Sequence, residues 1–448
     1  MRKILFIIQL AFLLGLPLAA QVAKTVNCTP GGLYTSMTRP EILTVTDLTL
    51  SGSIDARDFV IMRDSMVSLT TVDLKNASIV AYTGSGGTAG SGTYTANAIP
   101  TNCFFYSASV TGKASLKSIT FPTTILTIGT NAFRDCTGLT SLIIPSTVTT
   151  IGDEAFGGCS GLSVINIPLS VTSIGNYSFA DCTGSTSVYI PSSVNSIGSV
   201  AFINSSGLIN VDTGNSNYSS LDGVLYDQAQ TQLIHCPTLK TGSFTIPSSV
   251  NTVVHSSFYG CNNLTVVTIP SSVKTIEQSA FYKCTGLTSV SISSSVTSIG
   301  TYAFNYCTGL TSIYANSVTP VNLSSSLSVF PNAIKSTCTL YVPIGSKSAY
   351  QAAYQWKDFI NIVETSTAVP VVNSEAVKLF PNPVIDAFYV SGVEGNASVI
   401  ISDLNGQAIY TRLIAGSETV SVSTLPRGLY IVKLIFNGEI FMRKMIKE

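Results

Sequence analysis

Apolar residues recur along this chain in short alternating clusters separated by Ser, Thr and Gly, and the clusters themselves repeat. Leu139-x-x-Leu142-x-Ile144 alternates as a short strand does. Pro145 ends it by removing a donor. Val148 and Ile151 point back inward, and Gly152 allows a tight turn. Ala155-Phe156 predicts a short helical turn with its ring inside, and Cys159 closes the coil. The 23-residue string at 145–167 recurs before and after itself, with phenylalanine as its marker: Phe133, Phe156, Phe179, Phe202, then Phe258, Phe281 and Phe304. The step is 23 residues except for one step of 56 between Phe202 and Phe258. Pro122, Pro145, Pro168, Pro191, Pro247 and Pro270 keep the same period. Such a period is the mark of stacked repeats.

One coil buries too few side chains to offset the entropy of ordering it, so it must stack on neighbours. The expected fold is a solenoid of short parallel strands in 23-residue coils with little helix. Its repeats occupy 99–316, with Ile99 to Phe104 matching Ile128 to Phe133 in spacing. Residues 21–98 are expected to cap the stack, with a strand at Leu69-x-x-Val72-x-Leu74 and a helix running from Asp55-Ala56-Arg57-Asp58-Phe59 to about Met66. Residues 83–95 are rich in Gly, Ser and Thr and read as a mobile loop. The long step implies a hairpin insertion at about 210–247, with Asp222-Gly223 as a turn and strands at 224–226 and 232–234. Residues 317–364 resemble the segment that closes such stacks, and 365–377 are expected to form a linker.

The pattern changes after the linker. Residues 378–448 carry short alternating strands at 388–390, 399–401, 408–410, 420–422, 429–434 and 441–446. Asn405-Gly406, Arg427-Gly428 and Asn437-Gly438 mark turns. This predicts a small immunoglobulin-like all-β sandwich.

Composition narrows the partners. Formal charge is zero over 448 residues and only 10% are charged, which excludes a basic nucleic-acid surface. Past the N-terminus no apolar run approaches the length of a membrane span. Met1-Arg2-Lys3, the apolar run from Ile4 to Leu16 and Leu18-Ala19-Ala20-Gln21 read as a signal peptide over 1–20, cut after Ala20. The chain is therefore expected to be secreted.

The motif I-P-x-x-V-x-x-I-G-x-x-A-F-x-x-C-x-x-L, clearest at Ile144 to Leu162 and Ile269 to Leu287, resembles the BspA-like leucine-rich repeat family. Ser205 at the cysteine position, Ser185 at the leucine position and Ser293 at the proline position depart from it. The resemblance implies an adhesin-like surface protein contacting host or neighbour-cell proteins. Residues 378–448 resemble the C-terminal sorting domain of the type IX secretion system, through Pro381-Asn382-Pro383, Asp403-Leu404-Asn405-Gly406-Gln407, Leu425-Pro426-Arg427-Gly428-Leu429-Tyr430 and the tail around Lys444. That implies export by the type IX machinery, removal of the domain, and release or display at the outer cell surface.

No catalytic constellation is expected. His235, in the insertion, and His255 read as surface positions, and no nucleophile elbow or phosphate loop occurs. Asp55 and Asp58 have no nucleophile or histidine nearby in sequence. Cys136, Cys159, Cys182, Cys261, Cys284 and Cys307 share one register and read as a ladder of free buried thiols; no zinc spacing appears and no cofactor is implied. Binding is expected on the outward strand positions. One row is Thr120, Ile143, Asn166, Tyr189, Asp212, Thr268, Ser291 and Tyr314; the other is Ser118, Ser141, Val164, Ser187, Asn210, Val266, Ser289 and Ser312. Ile143, Asn166, Tyr189 and Tyr314 are the candidate contacts for an extracellular protein or glycan. The alternative reading is a carbohydrate-binding or glycan-processing surface protein.

Overall fold

The computed structural model describes residues 21–365, 378–391, 393, 396–402, 408–436 and 439–448. The expected signal peptide, the linker over 366–377 and the turns at 403–407 and 437–438 lie outside them. The backbone divides into two units, Met1–Gln228 and Ala229–Glu448.

In the first unit, strands Ala23–Cys28, Asp47–Ile54, Thr71–Ile79 and Ser118–Thr120 form one parallel sheet. Ala23 faces Asp47 and Asp47 faces Thr71, each step one position longer than that of the repeats. The segment expected as a cap is thus built of coils itself. Its longer step and a bulge between Thr49 and Ser51 take it out of the repeat period. The helix starting at Asp55 forms over Ala56–Val60 and continues as a wider turn over Ile61–Ser65. Residues 83–95 are not a loop. Tyr82–Gly87 and Gly90–Tyr94 pair antiparallel, the Tyr82 and Tyr94 rings lie 6.0 Å apart, and Arg57 sits over Tyr82.

A second ladder joins the two-residue strands Ala98–Ile99, Thr127–Ile128, Thr150–Ile151, Ser173–Ile174 and Ser196–Ile197. A third sheet joins Val164–Asn166, Ser187–Ile190 and Leu208–Val211. The strand expected at 139–144 does not form. Its coil falls between the sheet ending at Ser118–Thr120 and the one starting at Val164–Asn166, and Ile143 is left 83% exposed. The insertion's expected strands form, as Val224–Asp227 and Gln232–His235. Asp222-Gly223, with φ of 49° and 79°, joins Tyr218–Leu221 to Val224–Asp227, as a tight hairpin turn requires.

The expected helical turn at Ala155-Phe156 is a pair of left-handed corners instead. Backbone φ is positive two residues before and two after each phenylalanine: Asn131 and Asp135, Glu154 and Gly158, Tyr177 and Asp181, Val200 and Asn204. This turns alternate N–H groups toward the next coil. The N–H groups of Glu154, Phe156 and Gly158 donate to the carbonyls of Asn176, Ser178 and Ala180, each at 2.8 Å. Phe133, Phe156, Phe179 and Phe202 stack between these corners at 5.3, 5.4 and 5.7 Å. Gly152 and its equivalents serve close approach rather than a special turn. A Cβ at Gly175 would lie 2.5 Å from the backbone of Gly152 and Asp153 in the preceding coil.

The second unit repeats the plan. Strands Gly242–Thr245, Leu264–Ile269, Ser289–Ile292, Ser312–Ala315, Thr339–Pro343 and Asn361–Thr365 form a parallel sheet in chain order. Phe258, Phe281, Phe304 and Phe330 stack at 4.6, 4.9 and 5.4 Å, and Trp356 and Phe359 close the stack. His235 is buried beside Leu233 on strand Gln232–His235, not at the surface, because the strand's alternation turns both inward.

A corner ladder leaves open groups where it stops, and one such end in each unit meets a polar side chain. Arg63 Nη1 donates to the carbonyls of Thr88, Asn102 and Phe105 at 2.7, 2.9 and 3.3 Å at the start of the first unit's repeats. Toward the end of the second unit, Gln355 Oε1 accepts the N–H of Val329 at 2.8 Å, while its amide nitrogen donates to the carbonyls of Leu323 and Ser326.

The described residues after the linker form two antiparallel sheets. Lys378–Phe380, Ala387–Ser391 and Glu418–Ser421 make one; Ala408–Ala415, Asn396–Ser402, Gly428–Phe436 and Glu439–Lys447 make the other. Val384, Phe388, Val399, Ile401, Val432 and Leu434 are in the core. A solenoid followed by a small all-β module is what the hydrophobic pattern predicts.

The corners make stability testable at two positions. The buried Ser178 hydroxyl has no hydrogen-bond partner, and its equivalents are Ala155 and Ala201. Ser178→Ala is expected to raise stability by roughly 1 kcal/mol in urea unfolding, from removal of an unsatisfied hydroxyl. Gln355→Ala is expected to lower it by about 1–3 kcal/mol by orphaning a buried N–H. An unchanged midpoint in either variant would count against the ladder account.

Candidate functional site

Strand alternation sends every second side chain out of the sheet, and these form the candidate face. In the first unit, Asn166 lies directly beside Tyr189, and Val164 beside Ser187. The next step is shorter than the repeat period: Ser187 faces Leu208 and Tyr189 faces Asn210. The expected rows are therefore shifted by two positions here. Asn210, not Asp212, is the ladder neighbour of Tyr189, and Leu208 takes the place expected for Asn210. The chain takes a shorter path where serines replace the usual apolar residues. Ser185 Oγ accepts the Gly207 N–H at 3.0 Å and lies 3.4 Å from Ser205 Oγ, both serines being buried.

Asp212 still reaches the tyrosine. The Tyr189 hydroxyl donates to Asp212 Oδ2 at 2.9 Å, which fixes the ring on the face and pushes its pKa up. Ile143 is exposed as expected, but its coil carries no ladder strand, so it does not share a paired row with Asn166.

In the second unit the rows are unbroken. Thr245, Thr268, Ser291 and Tyr314 follow one another, then Tyr341 and Val363. Beside them run Ser243, Val266, Ser289, Ser312, Thr339 and Asn361. Neither row carries a charge. Tyr314 and Tyr341 stack face to face, 4.6 Å between centroids and 9° between planes. Burial and then the neighbouring Tyr341 raise the Tyr314 pKa, so the phenol stays a neutral donor. Tyr341 did not stand out in the sequence because it falls beyond the repeat step counted from Tyr314, although the two are paired. The alternation Leu340-Tyr341-Val342 was the available signal.

The described sorting-motif residues are structural in their contacts. Asn382 holds the last strand with both ends of its amide, donating to the Lys444 carbonyl at 2.7 Å and accepting the Ile446 N–H at 2.9 Å. Pro381 and Pro383 flank it, each after a cis peptide bond. Gly428 opens its strand opposite Lys447, and the Tyr430 hydroxyl donates to the Pro426 carbonyl at 2.8 Å. Lys444 is exposed. Gly406 lies outside the described residues.

Asp55 and Asp58 are occupied in folding. Asp55 caps the short helix, and Asp58 accepts the N–H groups of Gly31, Leu33 and Asp55. Among the described residues no group of three or more His, Cys, Asp or Glu side chains is placed to hold a metal ion. No helix among them is long and apolar enough to cross a membrane.

All ten cysteines are free and buried. The ladder thiols donate across coils to phenylalanine carbonyls: Cys159 to Phe133 at 3.1 Å, Cys182 to Phe156 at 3.4 Å, Cys284 to Phe258 and Cys307 to Phe281 at 3.0 Å. Burial pushes the Cys136 and Cys182 thiols up to about 12. A thiol pKa raised by folding adds stability that is complete below the unfolded value and lost as pH climbs through the folded one. Stability is thus expected to hold below pH 9 and fall between pH 9 and about 12. Urea midpoints across that window test this. In the same preparation, a thiol reagent should label all cysteines only after unfolding; rapid labelling of the native ladder would refute it.

Comparison with known proteins adds two family matches. Residues 97–230 and 235–355 match the BspA type leucine rich repeat region, in six copies. Residues 378–448 match the secretion system C-terminal sorting domain. Among solved structures, a leucine-rich repeat protein of Eubacterium ventriosum is 31% identical, over 51% of this chain and 66% of that one, with a TM-score of 0.40. The chain thus spans just under two thirds of that protein. A leucine rich cell surface protein of Faecalibacterium prausnitzii is 24% identical over 71% and 84%, with a TM-score of 0.46. A leucine-rich repeat protein of Bacteroides ovatus is 23% identical over 66% and 92%, with a TM-score of 0.28. None of the curated proteins matches the chain.

Proposed function

The chain belongs to the BspA-type leucine-rich repeat family, and from that premise we propose that it is an adhesin-like, non-enzymatic binding protein whose exposed strand face holds an extracellular protein or glycan. Its C-terminal sorting domain engages the type IX secretion machinery and sends it to the cell surface or the extracellular space. No enzymatic family is indicated by the matches. In this reading residues 21 to about 364 are the displayed part, and 378–448 are the export address, removed after transport.

The observation that carries the proposal is the stacked Tyr314–Tyr341 pair on an uncharged, hydroxyl-rich face. Two rings held in register present a rigid apolar surface with polar tips, which suits a ligand bound by stacking and hydrogen bonds with little salt dependence. Asn166 and the tethered Tyr189 give the first unit a smaller version of the same chemistry, and Ile143 adds an isolated apolar contact.

Residues 21–370 displayed against immobilised matrix proteins and a glycan array test the role. Tyr314→Ala with Tyr341→Ala is expected to weaken the strongest signal by about tenfold or more, the loss of two stacked rings. Equal signals from the parent and the double variant, with both folded, would remove the face from consideration.

A further inference from the structure

The second unit carries a separate cluster of aromatic side chains on its phenylalanine corners rather than on its sheet. Tyr259 and Tyr282 occupy the position after the core phenylalanine in successive coils, and their rings stack at 5.4 Å with 20° between planes. Tyr282 in turn meets Tyr306 edge-on at 5.1 Å and Tyr302 edge-on at 6.4 Å. Lys283 Nζ lies 5.5 Å from the centre of the Tyr259 ring and 5.9 Å from that of Tyr282. Tyr306 is 52% exposed, and Lys283 is exposed as well.

These residues cost the fold something. Tyr302, Tyr306 and Lys283 have φ of 59°, 60° and 61°, the left-handed region that bulky side chains disfavour. The corner itself does not need them. The same positions hold Asn131, Asp135, Glu154, Tyr177, Asp181, Val200 and Asn204 in the first unit and Ser256 and Gly260 in the second, so the corner does not dictate a ring or a lysine there. Tyr177 in the first unit is a ring at such a corner too; what marks the second unit is that rings from successive coils meet one another beside a lysine at the surface.

We propose that this corner ridge is a carbohydrate-binding site, distinct from the strand face, and that it takes an acidic polysaccharide. The exposed face of Tyr306 offers a platform for the C–H face of a sugar ring. The tyrosine hydroxyls can exchange hydrogen bonds with sugar hydroxyls. Lys283 is the cation of the cluster, and a uronate carboxylate is its complement. Successive coils repeat the tyrosine, so neighbouring sugar units meet neighbouring rings.

Affinity electrophoresis of the full chain in native gels containing polygalacturonate, with dextran as the neutral polymer, tests the site. Retardation by polygalacturonate well above that by dextran is expected. Tyr306→Gly and Lys283→Gly should each weaken it by about tenfold. Because glycine relieves the left-handed strain, both variants should also melt at the same temperature as the parent or higher. Binding lost while stability is kept separates a ligand contact from a packing role. Absence of retardation, equal retardation by both polymers, unchanged retardation in the glycine variants, or a lower melting temperature in them would overturn the proposal.

Discussion

The structure depends on the direction of its corner hydrogen bonds. In a helix, each N–H is satisfied by its own chain four residues back. Here the left-handed residues on either side of each phenylalanine break that habit, and alternate N–H groups donate to the coil that follows. A coil is therefore a donor on one side and an acceptor on the other. It cannot be satisfied alone, and the stack has a chemical polarity. Taken unit by unit, that polarity explains which kind of side chain stands at the start of the first unit's repeats and which toward the end of the second's. Arg63, which only donates, faces open carbonyls; Gln355 offers its carbonyl oxygen to an open N–H.

The core chemistry follows from the same geometry. Coils held at hydrogen-bonding distance bring equivalent phenylalanines into face-to-face stacking, with planes within 10° of one another from Phe133 to Phe202. They also set the ladder cysteines beside carbonyls of the preceding coil, a phenylalanine's for Cys159, Cys182, Cys284 and Cys307 and that of Cys236 for Cys261. A residue there must be small, apolar and able to donate weakly, which describes a thiol. Disulfides are not needed to hold the stack, and the thiols already point at carbonyls. Where serines enter, at Ser185 and Ser205, they pair with each other and with Gly207, and the coil shortens. A polar substitution in the core is thus absorbed as a change of register.

Much of this was legible in advance. The phenylalanine period specifies stacked coils, alternation specifies the strands, Asp222-Gly223 marks the hairpin turn, and the short strands after residue 378 specify a sandwich. What stayed hidden shares one cause: a period describes equal steps, and the chain uses unequal ones. The longer coils at the N-terminus, the shortened one before Leu208 and the lengthened one before Tyr341 fall out of phase, which is why Asn210 and Tyr341 were misplaced or missed. The corners look helical in sequence because apolar spacing reports which side chains are inside, not the sign of φ. His235 and the strand at 139–144 failed for a further reason: burial and pairing depend on the neighbouring coil, which no local pattern contains.

A coil so constrained leaves few positions free to vary. The inward residues fill the core, glycines such as Gly175 admit the neighbouring backbone, and the turn after each strand is spent on closing the coil. What remains is the outward half of each strand and the exposed side chains of the corners. On the strands any residue fits, so Ser, Thr and Tyr there cost nothing and by themselves say little; the stacked and tethered rings are what distinguish the face. On the corners the backbone itself selects, favouring Gly, Asn and Asp. A tyrosine or lysine in that setting is held against a local preference. Side chains kept in spite of the backbone carry more information about use than side chains the backbone would accept anyway, and this makes the corners, with Tyr177 and Val200 in the first unit and Lys283, Tyr302 and Tyr306 in the second, as informative as the sheets.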